Sequence, residues 1–231
     1  MLFGRAPLHC HEAAMTSTLG TGYSDLKEKQ KKEATNVMPK IRSLCAYCGA
    51  SQRVDPLYLD TAKALGREAA LRGIELIFGG GRVGMMGAVA DGAIAEGGSV
   101  VGIIPEHLES VEVGHQGVTR LEVVPSMHVR KMRMFELSDA FCILPGGLGT
   151  LDETFEILTW RQLGLHDKPV VVLDTLNYWQ PLKALIEHQV KVGFVKPEHA
   201  EMLTYVSDLE TLFETLEAEP RSRIEGESER F

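Results

Sequence analysis

The chain has 231 residues, 44% of them hydrophobic, and a formal net charge of -8, which suits one α/β domain with its own buried core. The acidic balance excludes a general affinity for nucleic acid or anionic membrane, since such partners need clustered Lys and Arg to displace counterions. No apolar run approaches the roughly 20 residues needed to span a bilayer, and the N-terminus lacks the apolar core and small-residue cleavage site of a secretory signal, so a cytoplasmic protein is expected.

Residues 1–40 mix Gly, Thr and Ser with a Lys-rich run (Lys27, Lys29, Lys31, Lys32). Without sustained periodicity they are expected to form a flexible extension. From Ile41 onward, short apolar runs at 41–47, 74–78, 99–104, 140–144 and 169–173 predict buried strands. The helix after Pro56 carries Leu59, Ala62, Leu65 and Ala69 on one face and is stopped by Gly73. Further helices are expected at 84–97, 128–138, 150–164, 178–192 and 207–217. The alternation predicts a single Rossmann-like domain over 41–217, a doubly wound parallel sheet with helices on both faces, followed by a polar tail at 218–231. In such sheets ligands sit beyond the carboxyl ends of the strands, so the loops there carry the functional expectation.

Three of these loops stand out. The first, Cys48-Gly49-Ala50-Ser51, has small residues that permit close backbone approach and a Ser51 hydroxyl. Cys45 and Cys48 also form a C-x-x-C, but the pair leads into a loop rather than opening a helix, and no second pair completes a zinc site. The plain reading is two small residues in a tight turn, with no metal and no disulfide framework. The second loop, Gly79 to Gly87, follows a strand and opens a helix, so the backbone N–H groups around Gly80, Gly81 and Gly84 can hold a phosphate. It also satisfies G-x-G-x-x-G, with Glu106 near the spacing of a ribose-binding acid. An NAD-type oxidoreductase is therefore a rival, opposed by Pro105 standing between Glu106 and its strand.

The third loop is Pro145-Gly146-Gly147-Leu148-Gly149-Thr150-Leu151-Asp152-Glu153. Thr150 is a natural N-cap, and the acids fall in the first helical turn; the bland alternative is a Thr150–Glu153 capping box. Between the second and third loops, Arg130 and Lys131 stand near a helix start, where the dipole disfavours cations, so they call for an anionic partner. The bland alternative there is a solvated basic face, and His128 is expected to be a buried, hydrogen-bonded histidine rather than a catalytic one.

These pieces together resemble a known family. Tyr47-Cys48-Gly49-Ala50-Ser51, the Gly79–Gly87 loop, Met127-His128-Val129-Arg130-Lys131, the P-G-G-x-G-T-x-x-E motif ending at Glu153 and the stretch from Thr159 to Pro169 are similar to the Lonely Guy proteins, cytokinin-activating phosphoribohydrolases formerly labelled lysine decarboxylase-like. The resemblance covers about residues 41–215. It implies hydrolysis of the N-glycosidic bond of an adenosine 5′-monophosphate, plain or N6-modified, with no cofactor and with Arg130 and Glu153 as the catalytic pair. It also implies substrate contacts at Glu112, Lys131, Gly146, Gly147, Leu148, Gly149, Thr150, Leu151, Asp152 and Thr159, and a homodimer. Asp152 stands where Glu is common. A non-enzymatic nucleotide or cofactor carrier on the same fold is the further alternative.

Overall fold

A computed structural model describes residues 41–109 and 114–218; the N-terminal extension, Glu112 and the end of the polar tail lie outside the described residues. In chain order the elements are β1 (Ser43–Tyr47), α1 (Pro56–Leu71), β2 (Glu75–Phe78), α2 (Gly84–Ala95), β3 (Val100–Pro105), β4 (Arg120–Val124), α3 (Met127–Leu137), β5 (Ala140–Ile143), α4 (Leu148–Gln162), β6 (Val170–Leu173), α5 (Gln180–Lys191), β7 (Thr204–Val206) and α6 (Leu209–Ala218). Single helical turns at Glu106–Leu108, Thr175–Asn177 and Pro197–Ala200 complete the path.

The five apolar runs become the five inner strands. They are buried almost throughout, as strands covered on both faces must be. The sheet has two more, β4 and β7, which no apolar run announces. They are its edges, in the order β4-β3-β2-β1-β5-β6-β7, with every pairing parallel. β4 is only partly covered and alternates charged with apolar residues, while β7 is three residues long. Arg133 ties β4 to α3 by a forked pair of bonds to Glu122, at 2.8 and 3.3 Å, and this hydrogen-bonded guanidinium holds the Glu122 carboxyl below its usual range.

Alternate residues of each strand feed two cores, one on each side of the sheet. Leu44, Ala46, Leu76 and Phe78 pack with α1, α2 and α6. Cys45, Tyr47, Ile77 and Ile143 pack with α3, α4 and α5. The expected doubly wound arrangement is therefore present. Within the first layer α1 and α2 meet backbone to backbone: a Cβ on Gly66 would lie 1.9 Å from the Val89 carbonyl oxygen, and one on Gly92 would lie 2.0 Å from that of Lys63. α1 starts where the Asp55 side chain accepts the Leu57 N–H at 3.0 Å, ahead of Pro56 at the first helical position.

α4 departs from expectation. It begins at Leu148, with Gly147 as its N-cap and no side-chain cap, so Thr150 is an interior residue. The capping-box alternative for Thr150 and Glu153 is thereby overturned. The Gly-Leu-Gly stretch, which resembles loop in sequence, already forms the first turn, and Glu153 falls in the second. α3, by contrast, is capped by Ser126, whose hydroxyl accepts the Val129 N–H at 3.3 Å.

The chain leaves β1 toward β2, β3 and β4, then returns to place β5 on the other side of β1. This reversal opens a crevice at the carboxyl ends of β1 and β5, where such sheets bind ligands.

Candidate active site

The crevice holds a cavity of about 290 Å³ lined by Gly49, Ala50, Ser51, Val54, Tyr58, Met85, Pro145, Gly146, Gly147 and Tyr178. The first and third loops are joined across it by the Gly49 N–H, which donates to the Pro145 carbonyl at 3.0 Å. The second loop is pinned from the same side, since Met85 donates its N–H to Gly49 O at 3.0 Å and a Cβ on Gly84 would meet the Ala50 backbone at 2.5 Å. Glycine is required at 84 twice over, because its φ is +59°.

Arg130 and Glu153 face each other on the α3/α4 side. Both are buried, at 6% and 8% exposure, and Arg130 Nη2 stands 3.9 Å from Glu153 Oε1. That is Coulombic contact beyond hydrogen-bond length. Arg130 Nε has no hydrogen-bond partner among the described residues, and Nη1 reaches only the Met127 sulfur, at 3.7 Å. A buried guanidinium so poorly satisfied is poised for an oxygen-rich ligand. Gly79 makes room for it: a Cβ there would sit 1.9 Å from Nη2. The carboxylate is felt beneath the site, where burial first and the Glu153 charge second push the Cys45 thiol far up, and burial, then Cys45 and Glu153, do the same to the Tyr47 phenol.

Lys131 is also buried and bridges two acids of α4, Asp152 at 3.1 Å and Glu156 at 3.0 Å. Burial works to lower its pKa, but the hydrogen bonds and charges of Glu156 and Asp152 together outweigh it and hold the ammonium above the usual lysine range. Glu156 is a partner that sequence reasoning did not single out, although it lies on the helix face of Asp152.

The other expected residues divide. Gly146 and Gly147 line the cavity, and the buried Thr150 packs over Gly146, whose Cβ would fall 2.1 Å from the threonine Oγ1. Leu148 and Gly149 are exposed at the head of α4. Leu151 turns instead to a groove beside Tyr178, Trp179 and Pro181. Ser51 lines the cavity but uses its hydroxyl to accept the Arg53 N–H at 3.2 Å. Gly80 and Gly81 are not among the residues lining this cavity; the Gly80 carbonyl accepts the His115 N–H at 2.9 Å, and Gly81 pairs with Gly114. Thr159 lies on the exposed face of α4, its hydroxyl returned to Phe155 O at 2.7 Å. Glu112 lies outside the described residues. His128 is exposed, contrary to the buried histidine expected, because it sits on the outer side of the first turn of α3. Cys45 and Cys48 belong to opposite core layers, and among the described residues no cluster of His, Cys, Asp and Glu is placed to hold a metal ion. Sequence reasoning missed Val54, Tyr58 and Tyr178 in the cavity wall; Tyr178 follows β6, so the rule of carboxyl-end loops would have pointed to it.

The profile of a family described as "Possible lysine decarboxylase" matches residues 86–216. A cytokinin riboside 5′-monophosphate phosphoribohydrolase of Rhodococcoides fascians is 44% identical over 173 residues, 74% of this chain and 87% of its own. One of that name from Arabidopsis thaliana is 41% identical over 178 residues, 77% of this chain and 83% of its own. The chain belongs to the Lonely Guy family. Among solved structures, the molybdenum cofactor binding protein of Rippkaea orientalis superposes with a TM-score of 0.58 at 24% identity, covering 77% of this chain and 96% of that one. At that identity the likeness concerns the fold alone. The lysine decarboxylase wording would call for a Schiff-base lysine, and Lys131 of this site is not suited to that part. A Schiff base needs a lysine that can shed its proton, whereas Lys131 is held protonated between two carboxylates.

Proposed function

We propose that this Lonely Guy protein hydrolyses the N-glycosidic bond of adenosine 5′-monophosphate or its N6-modified forms, releasing the free base and ribose 5-phosphate. The observation that carries this reading is the buried Arg130–Glu153 pair at the head of the sheet, held 3.9 Å apart without a direct hydrogen bond. Departure of the base leaves positive charge at C1′, and a carboxylate in a dry site stabilises it far better than water does. In the proposed reaction Glu153 faces the sugar and orients the attacking water. The C1′–N9 bond breaks, the water oxygen bonds to C1′, and its proton leaves for the base. Arg130 keeps its proton and anchors the ligand by charge. The free N–H groups at the head of α4, from Gly147 to Thr150, together with the positive end of the helix, receive the 5′-phosphate.

The family's homodimer is part of the proposal. Leu148, Phe155 and Leu163 are exposed by 85%, 40% and 65%. Their spacing of seven and eight residues aligns Leu148 and Phe155 on one stripe of α4 with Leu163 at its C-cap, and Thr159 lies within that stripe. A two-fold contact along that stripe covers the apolar side chains and offers Thr159 to the neighbouring copy.

The test is to incubate the purified protein with AMP and with isopentenyladenosine monophosphate and follow products by chromatography. Free base and ribose 5-phosphate in equal amounts are expected, while binding without turnover would make the protein a carrier. Light scattering is expected to give twice the 25.4 kDa chain mass, and a monomeric mass would remove the dimer.

A further inference from the structure

Tyr178 occupies a place that the reaction above does not use. Its hydroxyl donates to the Gly146 carbonyl at 2.6 Å, although the residue is 39% exposed and water could satisfy the same group. The ring is clamped, edge-on to Tyr58 at 5.7 Å and to Trp179 at 4.8 Å. The chain takes strain to put it there. Leu176 and Asn177 precede it with φ of 55° and 59°, a left-handed conformation that a side chain such as leucine disfavours. Asp174 holds that turn from both ends: its carboxylate accepts the Trp179 N–H at 2.7 Å, its carbonyl the Asn177 N–H at 3.2 Å. Strain of this kind persists where the surroundings over-determine it, often at functional sites.

The bond falls on a peptide that joins two glycines. Gly146 and Gly147 are adjacent glycines, and Gly147 has no atom within 4 Å of where a Cβ would be. A glycine pair can rotate its shared peptide at little steric cost. In a planar trans peptide the N–H points opposite to the C=O. Fixing the Gly146 carbonyl on Tyr178 therefore aims the Gly147 N–H away from Tyr178, as the first of the free donors heading α4. Were the peptide to flip, a carbonyl oxygen would replace that donor and repel an anion.

We infer that Tyr178 is a positioning residue, locking the Gly146–Gly147 peptide so that the Gly147 N–H is presented to the phosphate of the substrate. This rests on the phosphoribohydrolase reading. Its test is Tyr178→Phe, with affinity measured calorimetrically for ribose 5-phosphate and for adenosine, which lacks the phosphate. The expected result is about a tenfold loss for ribose 5-phosphate, the scale of one hydrogen bond to a charged group, with adenosine affinity and Tm unchanged. KM for AMP is expected to rise by the same factor with kcat little altered. Equal losses for both ligands, or wild-type affinity for both, would overturn the role of Tyr178 while leaving the hydrolase intact. Failure of the wild-type protein to release base from AMP would overturn the hydrolase, and this inference with it.

Discussion

In the proposed reaction the chemistry falls to one carboxylate, and its surroundings say how to test it. Glu153 is buried beside a guanidinium it does not hydrogen-bond, so Glu153→Gln keeps the volume and removes the charge. Ribose 5-phosphate affinity is expected to stay within a few-fold while kcat for AMP falls about 10² to 10⁴-fold; wild-type turnover would remove Glu153 from the reaction. Both residues stood out in the chain, because the spacing from Gly146 to Glu153 and the adjacent cations Arg130 and Lys131 are local patterns, but it was the family resemblance that paired them. That two tyrosines meet in the cavity wall was not legible. Tyr58 and Tyr178 stand 120 positions apart in the numbering and meet only because β1 and β6 both end at the crevice, a fact of topology that no local pattern encodes. His128 misled for a related reason, since which side of a helix faces the core depends on where the helix is docked.

At the scale of elements, the inner strands were visible as apolar runs and the edge strands were not, because a half-covered strand carries half the apolar signal. The N-terminus of α4 was misplaced by two residues because glycine at the head of a helix looks like loop. The contact between α1 and α2 was equally hidden: nothing in the sequence says that Gly66 faces a carbonyl. Gly66→Ala would force its methyl into the Val89 oxygen, 1.9 Å from the ideal Cβ position. We expect the variant to lose about 2–3 kcal/mol by chemical denaturation, in the upper range for overpacking, whereas Gly97→Ala, with open space but a φ of +72°, is expected to lose only about 1 kcal/mol from backbone strain.

For the whole molecule, acid stability is expected to depend in part on His166, which joins α4 to the strand after it. Its Nε2 donates to Ile157 O at 2.8 Å and its Nδ1 accepts the Lys168 N–H at 3.1 Å, so both nitrogens are engaged in the neutral form. Burial, with Lys168 and Arg161 adding to it, lowers its pKa to about 4 from the ordinary 6.5. The unfolded chain thus takes up a proton that the folded one refuses. Above pH 6.5 this costs nothing, and between 6.5 and 4 stability is expected to fall by at most about 1.4 kcal/mol per pH unit before levelling. A His166→Gln variant is expected to show a shallower acid slope in urea titrations, and an unchanged slope would assign the acid sensitivity to other groups. The burial of Cys45 and Cys142, both wholly enclosed and with thiols pushed far up by that enclosure, makes the central strands their own clock. In a Cys10→Ser background, a thiol-reactive dye added to the folded protein is expected to reach them only as often as the sheet comes apart, so the slow phase of labelling times its opening.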